Sequence, residues 1–149
     1  KLDVNIIKTA IKPTNFEVYF PGETTLKELT EKDLKKLNIQ IISTGERINF
    51  ENYLTKGKIT VFDVFAPWCG PCKIYGNKLE HFALDNPKIA LVKLDIINWK
   101  TDITKQLKAD YGMNNGIPFT LVFNDKGLLI GTVQGNNIEK LKELLATIK

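Results

Sequence analysis

Cys69 and Cys72 are the only cysteines of this 149-residue chain, and only Gly70 and Pro71 separate them. Three kinds of site use cysteines at this spacing: a zinc site, a structural disulfide and a redox-active dithiol. Structural zinc usually takes four Cys or His ligands, and the chain adds only one histidine, His81. A disulfide stabilises a fold mainly by closing a long loop, so a bridge across two residues contributes little. The spacing therefore favours redox chemistry.

The pair also lies at a predicted strand-to-helix junction, which constrains the fold around it. Residues 58–65 (KITVFDVF) are rich in β-branched and aromatic side chains and predict a buried strand containing one acid, Asp63. Helical spacing follows the pair, and its predicted inward face is Ile74, Leu79, Phe82 and Ala83. A helix N-terminus presents unpaired N–H groups and a positive dipole end, and both stabilise a cysteine thiolate.

Composition and charge argue against several classes of function. Apolar residues make up 43% of the chain and charged residues 26%, as in ordinary globular domains. No apolar run approaches the ~18 residues that span a bilayer, so we expect no membrane insertion. The formal charge of +4 is spread without a run of five or six like charges, so we expect no nucleic-acid partner.

Residues 68–73 (WCGPCK) resemble the active-site motif of the thioredoxin family, and further segments extend the resemblance. Asp63 stands six residues before Cys69, where the family has a buried acid. Lys93 stands where the family has a lysine near that acid. Pro118 resembles the family's cis-proline that faces the cysteines.

The resemblance covers residues 48–149 and implies an α/β thioredoxin fold, with a central mixed β-sheet flanked by helices. Residues 1–47 then form an N-terminal β/α extension packed on the same domain. In it we predict strands at 15–20 and 39–43 and a helix at 25–37.

Smaller features of the extension and of the family-like part add further expectations. Thr25 and Glu28 have the spacing of a capping box at the start of the predicted helix, and Pro21-Gly22 predicts a turn. Asn77 stands where the family has a proline that kinks the helix after the cysteines. The segment 94–117 is longer than in a minimal member and predicts a helix with Ile103, Leu107 and Tyr111 on one face.

The resemblance also implies a mechanism. Cys69, the exposed cysteine, attacks a substrate disulfide as a thiolate, and the more buried Cys72 resolves the mixed disulfide. Asp63 is the base for Cys72, and Lys93 tempers the rise in its pKa that burial causes. The residues expected to bind substrate are Trp68, Gly70, Pro71, Gly116, Ile117 and Pro118. We interpret Trp99 as a packing residue and leave Phe119 open between packing and substrate contact.

These inferences predict a thiol–disulfide oxidoreductase that reduces protein disulfides through the Cys69–Cys72 couple, without metal or other cofactor. Gly-Pro between the cysteines, with no histidine there, resembles reducing members of the family. The expected partners are disulfide-containing proteins and an upstream thiol reductant, and we expect a monomer. One alternative is a specialised partner in cytochrome c maturation or oxidative defence. Another is a thioredoxin-fold binding module whose cysteines are redox-silent.

The expected location is the periplasm or another extracytoplasmic space of a bacterium, with the cytoplasm as the alternative. Exported thioredoxin-like proteins often carry added strands at the position of residues 1–47. The chain begins at Lys1 without a methionine, which fits a cleaved signal peptide and fits trimming equally.

Overall fold

Residues 29–148, the part of the chain that our computed structural model describes, form five strands and four α-helices. The strands are β1 Gln40–Ile42, β2 Ile59–Phe65, β3 Ile89–Asp95, β4 Phe119–Phe123 and β5 Leu129–Gln134. The helices are α1 Glu31–Leu37, α2 Gly70–Asp85, α3 Asp102–Tyr111 and α4 Ile138–Ala146, with a 3-10 turn at Phe50–Tyr53.

The strands form one mixed sheet in the order β1-β3-β2-β4-β5. The pairs β1–β3 and β2–β3 are parallel, and the pairs β2–β4 and β4–β5 are antiparallel. This arrangement confirms the predicted mixed sheet flanked by helices. The strand predicted at 39–43 is present as β1, and it joins the sheet as the edge strand beside β3.

Side chains of β2 alternate between the two faces of the sheet, as a strand requires. Phe62 and Val64 belong to a core cluster that also holds Ile103 and Leu107 of α3. Val61, by contrast, packs in a cluster with residues of α2 and α4. Asp63 shares the parity of Val61, so the alternation directs this acid toward the α2 side of the sheet.

The predicted inward face of α2 was wrong at one position, whereas two predicted inward residues of α3 are confirmed. In α2 the buried residues are Cys72, Tyr75, Gly76, Leu79 and Ala83, whereas Ile74 is 55% exposed. The prediction for Ile74 was wrong because Cys72 sets the phase of the helix and places Tyr75 inward instead. Gly76 and Asn77 do not interrupt α2, which is one continuous helix. In α3 the predicted inward residues Ile103 and Leu107 are buried.

The first helix of the described part begins at Glu31, inside the predicted range 25–37. Thr30 is its N-cap, and a capping box joins Thr30 to Asp33, with the Asp33 N–H donating to Thr30 Oγ1 at 3.1 Å. These local hydrogen bonds define a helix start at Glu31, whereas the predicted helix spanned 25–37. The strand at 15–20, the Pro21-Gly22 turn and the capping pair Thr25 and Glu28 lie outside the described residues.

Candidate active site

The cysteine pair occupies the first turn of α2, where the structure contains a Cys69–Cys72 disulfide with a Cα–Cα distance of 5.3 Å. Cys69 is the N-cap, and its Sγ accepts a hydrogen bond from the Cys72 N–H at 3.2 Å. Pro71 fits this turn because its missing N–H would have no helical partner there. The helix therefore directs a backbone N–H and its positive dipole end toward the first sulfur.

Cys69 is less accessible than predicted. Its exposed fraction is only 7%, against 3% for Cys72. Cys69 is more accessible than Cys72, as predicted, but the description of Cys69 as exposed was wrong for the disulfide form. The bond to Cys72 and the hydrogen bond from the Cys72 N–H hold its sulfur against the helix. The Gly70-Pro71 turn between the cysteines is exposed.

Asp63 lies in the middle of β2 and is completely buried. Its neighbours in the sheet are Lys93 on β3 and Thr120 on β4. Oδ2 accepts a hydrogen bond from Lys93 Nζ at 3.2 Å, whereas Oδ1 has no partner among residues 29–148. Burial raises the pKa of Asp63, and the Lys93 ammonium opposes that rise.

Lys93 contacts two carboxylates. Its Nζ lies 3.2 Å from Asp63 Oδ2 and 3.1 Å from Glu80 Oε2 on α2. Burial of the ammonium works against its charged form, but the Asp63 and Glu80 carboxylates outweigh burial and raise the pKa of Lys93. The side chain predicted from sequence to lie near Asp63 therefore does so, and Glu80 joins it.

A cavity of about 430 Å³ opens beside this group of charges. Cys72, Gly76, Glu80 and Lys93 all contribute to its wall. The other lining residues are Phe65, Ala66, Pro67, Lys73 and Asn77. Cys72 and the Lys93 ammonium that pairs with Asp63 therefore line the same cavity.

The loop before β4 lies at the same end of the sheet as the cysteines. Phe119 at the start of β4 pairs with Val64 near the end of β2, and β2 leads directly to Cys69. The Ile117–Pro118 bond is cis, as the family resemblance predicts. Gly116 has φ +88°, a conformation that favours glycine, and its carbonyl accepts a hydrogen bond from Gln134 Nε2 at 2.9 Å.

Two tryptophans form an exposed surface between the cysteines and this loop. Trp68 is 54% exposed and donates its Nε1–H to the carbonyl of Ile97 at 2.7 Å. Trp99, in the longer segment 94–117, is 43% exposed and meets Trp68 edge-to-face at 5.6 Å between ring centroids. A Cβ on Gly116 would lie 3.5 Å from Trp99 Cη2. Trp99 thus packs on Trp68 and is also partly exposed to solvent, while Phe119 is buried in the core.

Three residues of this site were not identified from the sequence. Trp99 was interpreted as packing only, and Glu80 and Gly76 were assigned no role at the site. Gly76 and Glu80 are four apart on α2 and so share one helix face, which is the signal that could have associated them. Their link to Lys93 depends on how α2 packs against the sheet, which no sequence period reveals.

The described part of the chain has neither a metal site nor a membrane-spanning helix. Among residues 29–148, no group of three His, Cys, Asp or Glu side chains is arranged to hold a metal ion. No helix in that range is both long and apolar enough to cross a membrane. The disulfide is the redox-active group of the site.

Comparison with known proteins agrees with this geometry. The family model described as Thioredoxin matches residues 41–149. The thioredoxin of Echinococcus granulosus is 36% identical over 88 residues, which are 59% of this chain and 76% of the relative. The thioredoxin of Mycoplasmoides gallisepticum is 32% identical over 102 residues, covering 66% of this chain and 93% of the relative.

A solved structure shares the fold. The oxidised form of mitochondrial thioredoxin 3 from Saccharomyces cerevisiae superposes with a TM-score of 0.57 at 24% identity, covering 74% of this chain and 96% of the other. The family match begins in β1, before the boundary at residue 48 that the sequence predicts, and the division of the chain at that point stays a prediction. The match over residues 41–149, together with a cysteine pair at the start of α2, shows that the chain belongs to the thioredoxin family and is a protein thiol–disulfide oxidoreductase.

Proposed function

We propose that this protein works as a reductant of disulfides in other proteins, with the Cys69–Cys72 couple cycling between dithiol and disulfide. One arrangement carries the proposal. Cys69 caps α2 and its Sγ accepts a hydrogen bond from the Cys72 N–H, while the buried Asp63, whose Oδ1 has no partner among residues 29–148, lies on the side of the sheet that faces the same helix. The first feature favours a thiolate at Cys69. The second provides a proton acceptor, Oδ1 of Asp63, on the α2 side of the sheet.

In the first step, the Cys69 thiolate attacks one sulfur of the substrate disulfide. A Cys69–substrate disulfide forms, the substrate S–S bond breaks, and the leaving sulfur departs as a thiolate that takes a proton from water. The Cys72 N–H and the positive end of α2 stabilise the negative charge on Cys69 before the attack.

In the second step, Cys72 releases the substrate. Its thiol gives a proton to Asp63, directly or through a water, and the resulting thiolate attacks Cys69 Sγ. The Cys69–Cys72 disulfide forms and the substrate leaves as a second thiolate, so the substrate gains two electrons and the protein loses two. Burial suits Asp63 to this role because a raised pKa brings a carboxylate closer to the basicity needed near neutral pH.

An upstream dithiol reductant must then restore the two thiols by the reverse exchange. The proposed direction of electron flow, from this protein to its substrates, is supported by Gly70 and Pro71 between the cysteines, which resemble reducing members of the family. A histidine in their place would stabilise the thiolate form and make the disulfide more oxidising. Its absence supports a reducing role.

Substrate docking uses the exposed rim around Cys69. Trp68 and the Gly70-Pro71 turn border the sulfur, and Trp99 extends this rim toward Gly116. We propose that an extended substrate segment lies along the backbone of Gly116 and Ile117, in the manner of an added strand. The Gly116 carbonyl already accepts from Gln134, so the pairing would use its neighbours or displace that side chain.

We also propose that the protein works outside the bacterial cytoplasm. The support is the β/α character that the sequence of residues 1–47 predicts, which resembles extensions of exported family members. Fractionation of cells that produce the natural protein tests this: recovery with periplasmic markers supports the proposal, and recovery with cytoplasmic markers contradicts it.

Cysteine-to-serine variants test the ordered roles of the two sulfurs. Wild type should reduce insulin disulfides with a dithiol donor, and Cys69→Ser should not. Cys72→Ser should accumulate a covalent adduct with a disulfide substrate, visible on non-reducing gels and lost on addition of dithiothreitol. The double variant is the matched control and should form no adduct.

Two results would contradict the proposal. Adducts trapped by Cys69→Ser but not by Cys72→Ser would reverse the order of the cysteines. Failure of the folded wild type to reduce any disulfide would favour the redox-silent binding module.

A further inference from the structure

Lys93 divides its ammonium between two carboxylates that differ in burial. Asp63, 3.2 Å from Nζ, is fully buried, whereas Glu80, 3.1 Å from Nζ, has a side chain that is 19% exposed. The same Nζ lies 5.4 Å from the centre of the Phe65 ring. Because one ammonium lies at nearly equal distances from two carboxylates, it stabilises the negative charge of each less than it would stabilise that of a single carboxylate.

Gly76 makes this arrangement possible. A Cβ at this position would lie 3.0 Å from Lys93 Nζ and 3.5 Å from Asp63 Oδ2. Glycine is unfavourable inside a helix, yet Gly76 lies within α2 and is buried. The missing side chain leaves the room in which the ammonium approaches Asp63.

Two further titratable side chains, Tyr75 and Lys73, lie near this group of charges. Tyr75 of α2 is held by a hydrogen bond with Thr120 at 2.8 Å, and burial raises its pKa to about 12. It therefore stays neutral near pH 7. Lys73 lines the adjoining cavity together with Glu80 and Lys93.

We propose that Glu80 and Gly76 are positioning residues that set how strongly Lys93 holds the carboxylate of Asp63. Glu80 draws the ammonium outward, and Gly76 leaves the space that lets it reach inward. The proposal deepens the mechanism above and rests on it for its functional meaning: the hold of Lys93 sets the pH range in which Asp63 takes the proton of Cys72.

The two residues should act on Asp63 in opposite directions. Glu80→Gln removes a competing negative charge and leaves Lys93 to Asp63 alone, so the pKa of Asp63 should fall. Gly76→Ala inserts a methyl group 3.0 Å from Nζ. The flexible ammonium moves away, and the pKa of Asp63 should rise.

The test is the titration of the Asp63 carboxyl carbon, followed by ¹³C NMR in the oxidised protein without substrate. We expect shifts of at least about half a pH unit, downward in Glu80→Gln and upward in Gly76→Ala. Asp85→Asn is the matched control, because it removes an exposed acid from the same helix and should leave the Asp63 midpoint unchanged. Glu80→Gln keeps the test decisive if the alanine variant folds poorly.

Shifts in the same direction, or no shift in Glu80→Gln, would overturn the positioning role whatever the activity. The failure of the proposed mechanism has a separate readout. If the Asp63 midpoint moves as expected but the pH dependence of substrate release does not follow it, the positioning role stands and the role of Asp63 as base is lost.

Discussion

Asp63 and Asp95 are two buried acids of the same sheet, and their surroundings differ. Asp95 ends β3 and is 8% exposed, and both of its oxygens are paired. Oδ2 accepts from Ser43 Oγ at 2.9 Å and Oδ1 from the Ile97 N–H at 2.8 Å. Asp63 is more deeply buried, yet it has one oxygen without a partner among the described residues.

The different hydrogen bonding of Asp95 and Asp63 indicates different roles for the two acids. Asp95 holds the backbone of Ile97, which has φ +69° and accepts the Trp68 indole N–H. A β-branched residue in that conformation is strained and persists only when its surroundings hold it. Asp95 therefore supports the proposed docking rim, whereas the incomplete pairing of Asp63 leaves an oxygen for the proposed proton transfer.

The largest expected effect on stability comes from breaking the paired acid. Asp95→Ala removes two hydrogen bonds to a charged group and leaves the Ile97 N–H without its acceptor. We expect a loss of about 2–4 kcal/mol in the free energy of unfolding, measured by urea denaturation. Ser43→Ala keeps the Ile97 contact and is the control, with a smaller loss. Equal losses in the two variants would show that the Ile97 bond contributes nothing.

Substitution of Asp63, whose Oδ1 has no partner among the described residues, should change stability in the opposite direction. Asp63→Asn removes a buried charge and should raise the free energy of unfolding by about 1–3 kcal/mol at neutral pH. Because Lys93 also contacts Glu80, its ammonium retains a partner. A destabilised Asn variant at neutral pH would show that Asp63 is needed for the fold.

The increase in the free energy of unfolding that we expect for Asp63→Asn should also depend on pH. The folded state of the wild type binds more protons than the unfolded chain between the ordinary pKa of 3.8 and the raised folded pKa of Asp63. Wild-type stability therefore falls as pH rises through that interval. The advantage of Asp63→Asn should be small below the ordinary pKa, grow through the interval and be complete above it. Urea denaturation at a series of pH values checks this, and a gain independent of pH would contradict it.

The smallest expected effect lies at the rim that Asp95 supports. Trp99→Ala removes an exposed ring beside Trp68 and should raise KM for insulin by about 3–10-fold, as loss of an aromatic contact typically does. The value of kcat should stay unchanged. Trp99→Phe keeps an aromatic edge and should lie between the two. An equal loss of rate with a small disulfide reagent would place Trp99 in the chemistry instead of docking.

Much of the fold follows from short-range patterns in the sequence. The run at 58–65 predicts β2 because β-branched and aromatic residues are concentrated there, and the spacing of Ile103 and Leu107 predicts α3. The start of α1 was missed because Thr30 and Asp33 form a local cap that competes with the longer periodic pattern. Ile74 was placed inward because the apolar spacing was counted without the constraint that Cys72 imposes on the helix.

The candidate site was predicted only in part, for a different physical reason. The positions Cys69, Cys72, Asp63 and Pro118 were recognisable because the segments that contain them resemble motifs of the thioredoxin family. The contact between Glu80 and Lys93 joins residues on separate elements and depends on how α2 crosses β3. The pairing of Trp68 with Trp99 likewise depends on the path of a loop, which periodicity does not determine.

We propose that Asp63 is the base for the second sulfur exchange, and two-phase kinetics measure that role. Reduced protein mixed with 5,5′-dithiobis(2-nitrobenzoate) should release one coloured thiolate when Cys69 attacks and a second when Cys72 displaces it. The second phase is unimolecular. We predict that Asp63→Asn slows the second phase by about 10²-fold, the lower range for loss of a general base, and leaves the first within about twofold. Asp95→Asn should change neither by more than about twofold. A second phase in Asp63→Asn with the rate and pH dependence of the wild type would show that Asp63 is not the base for this step.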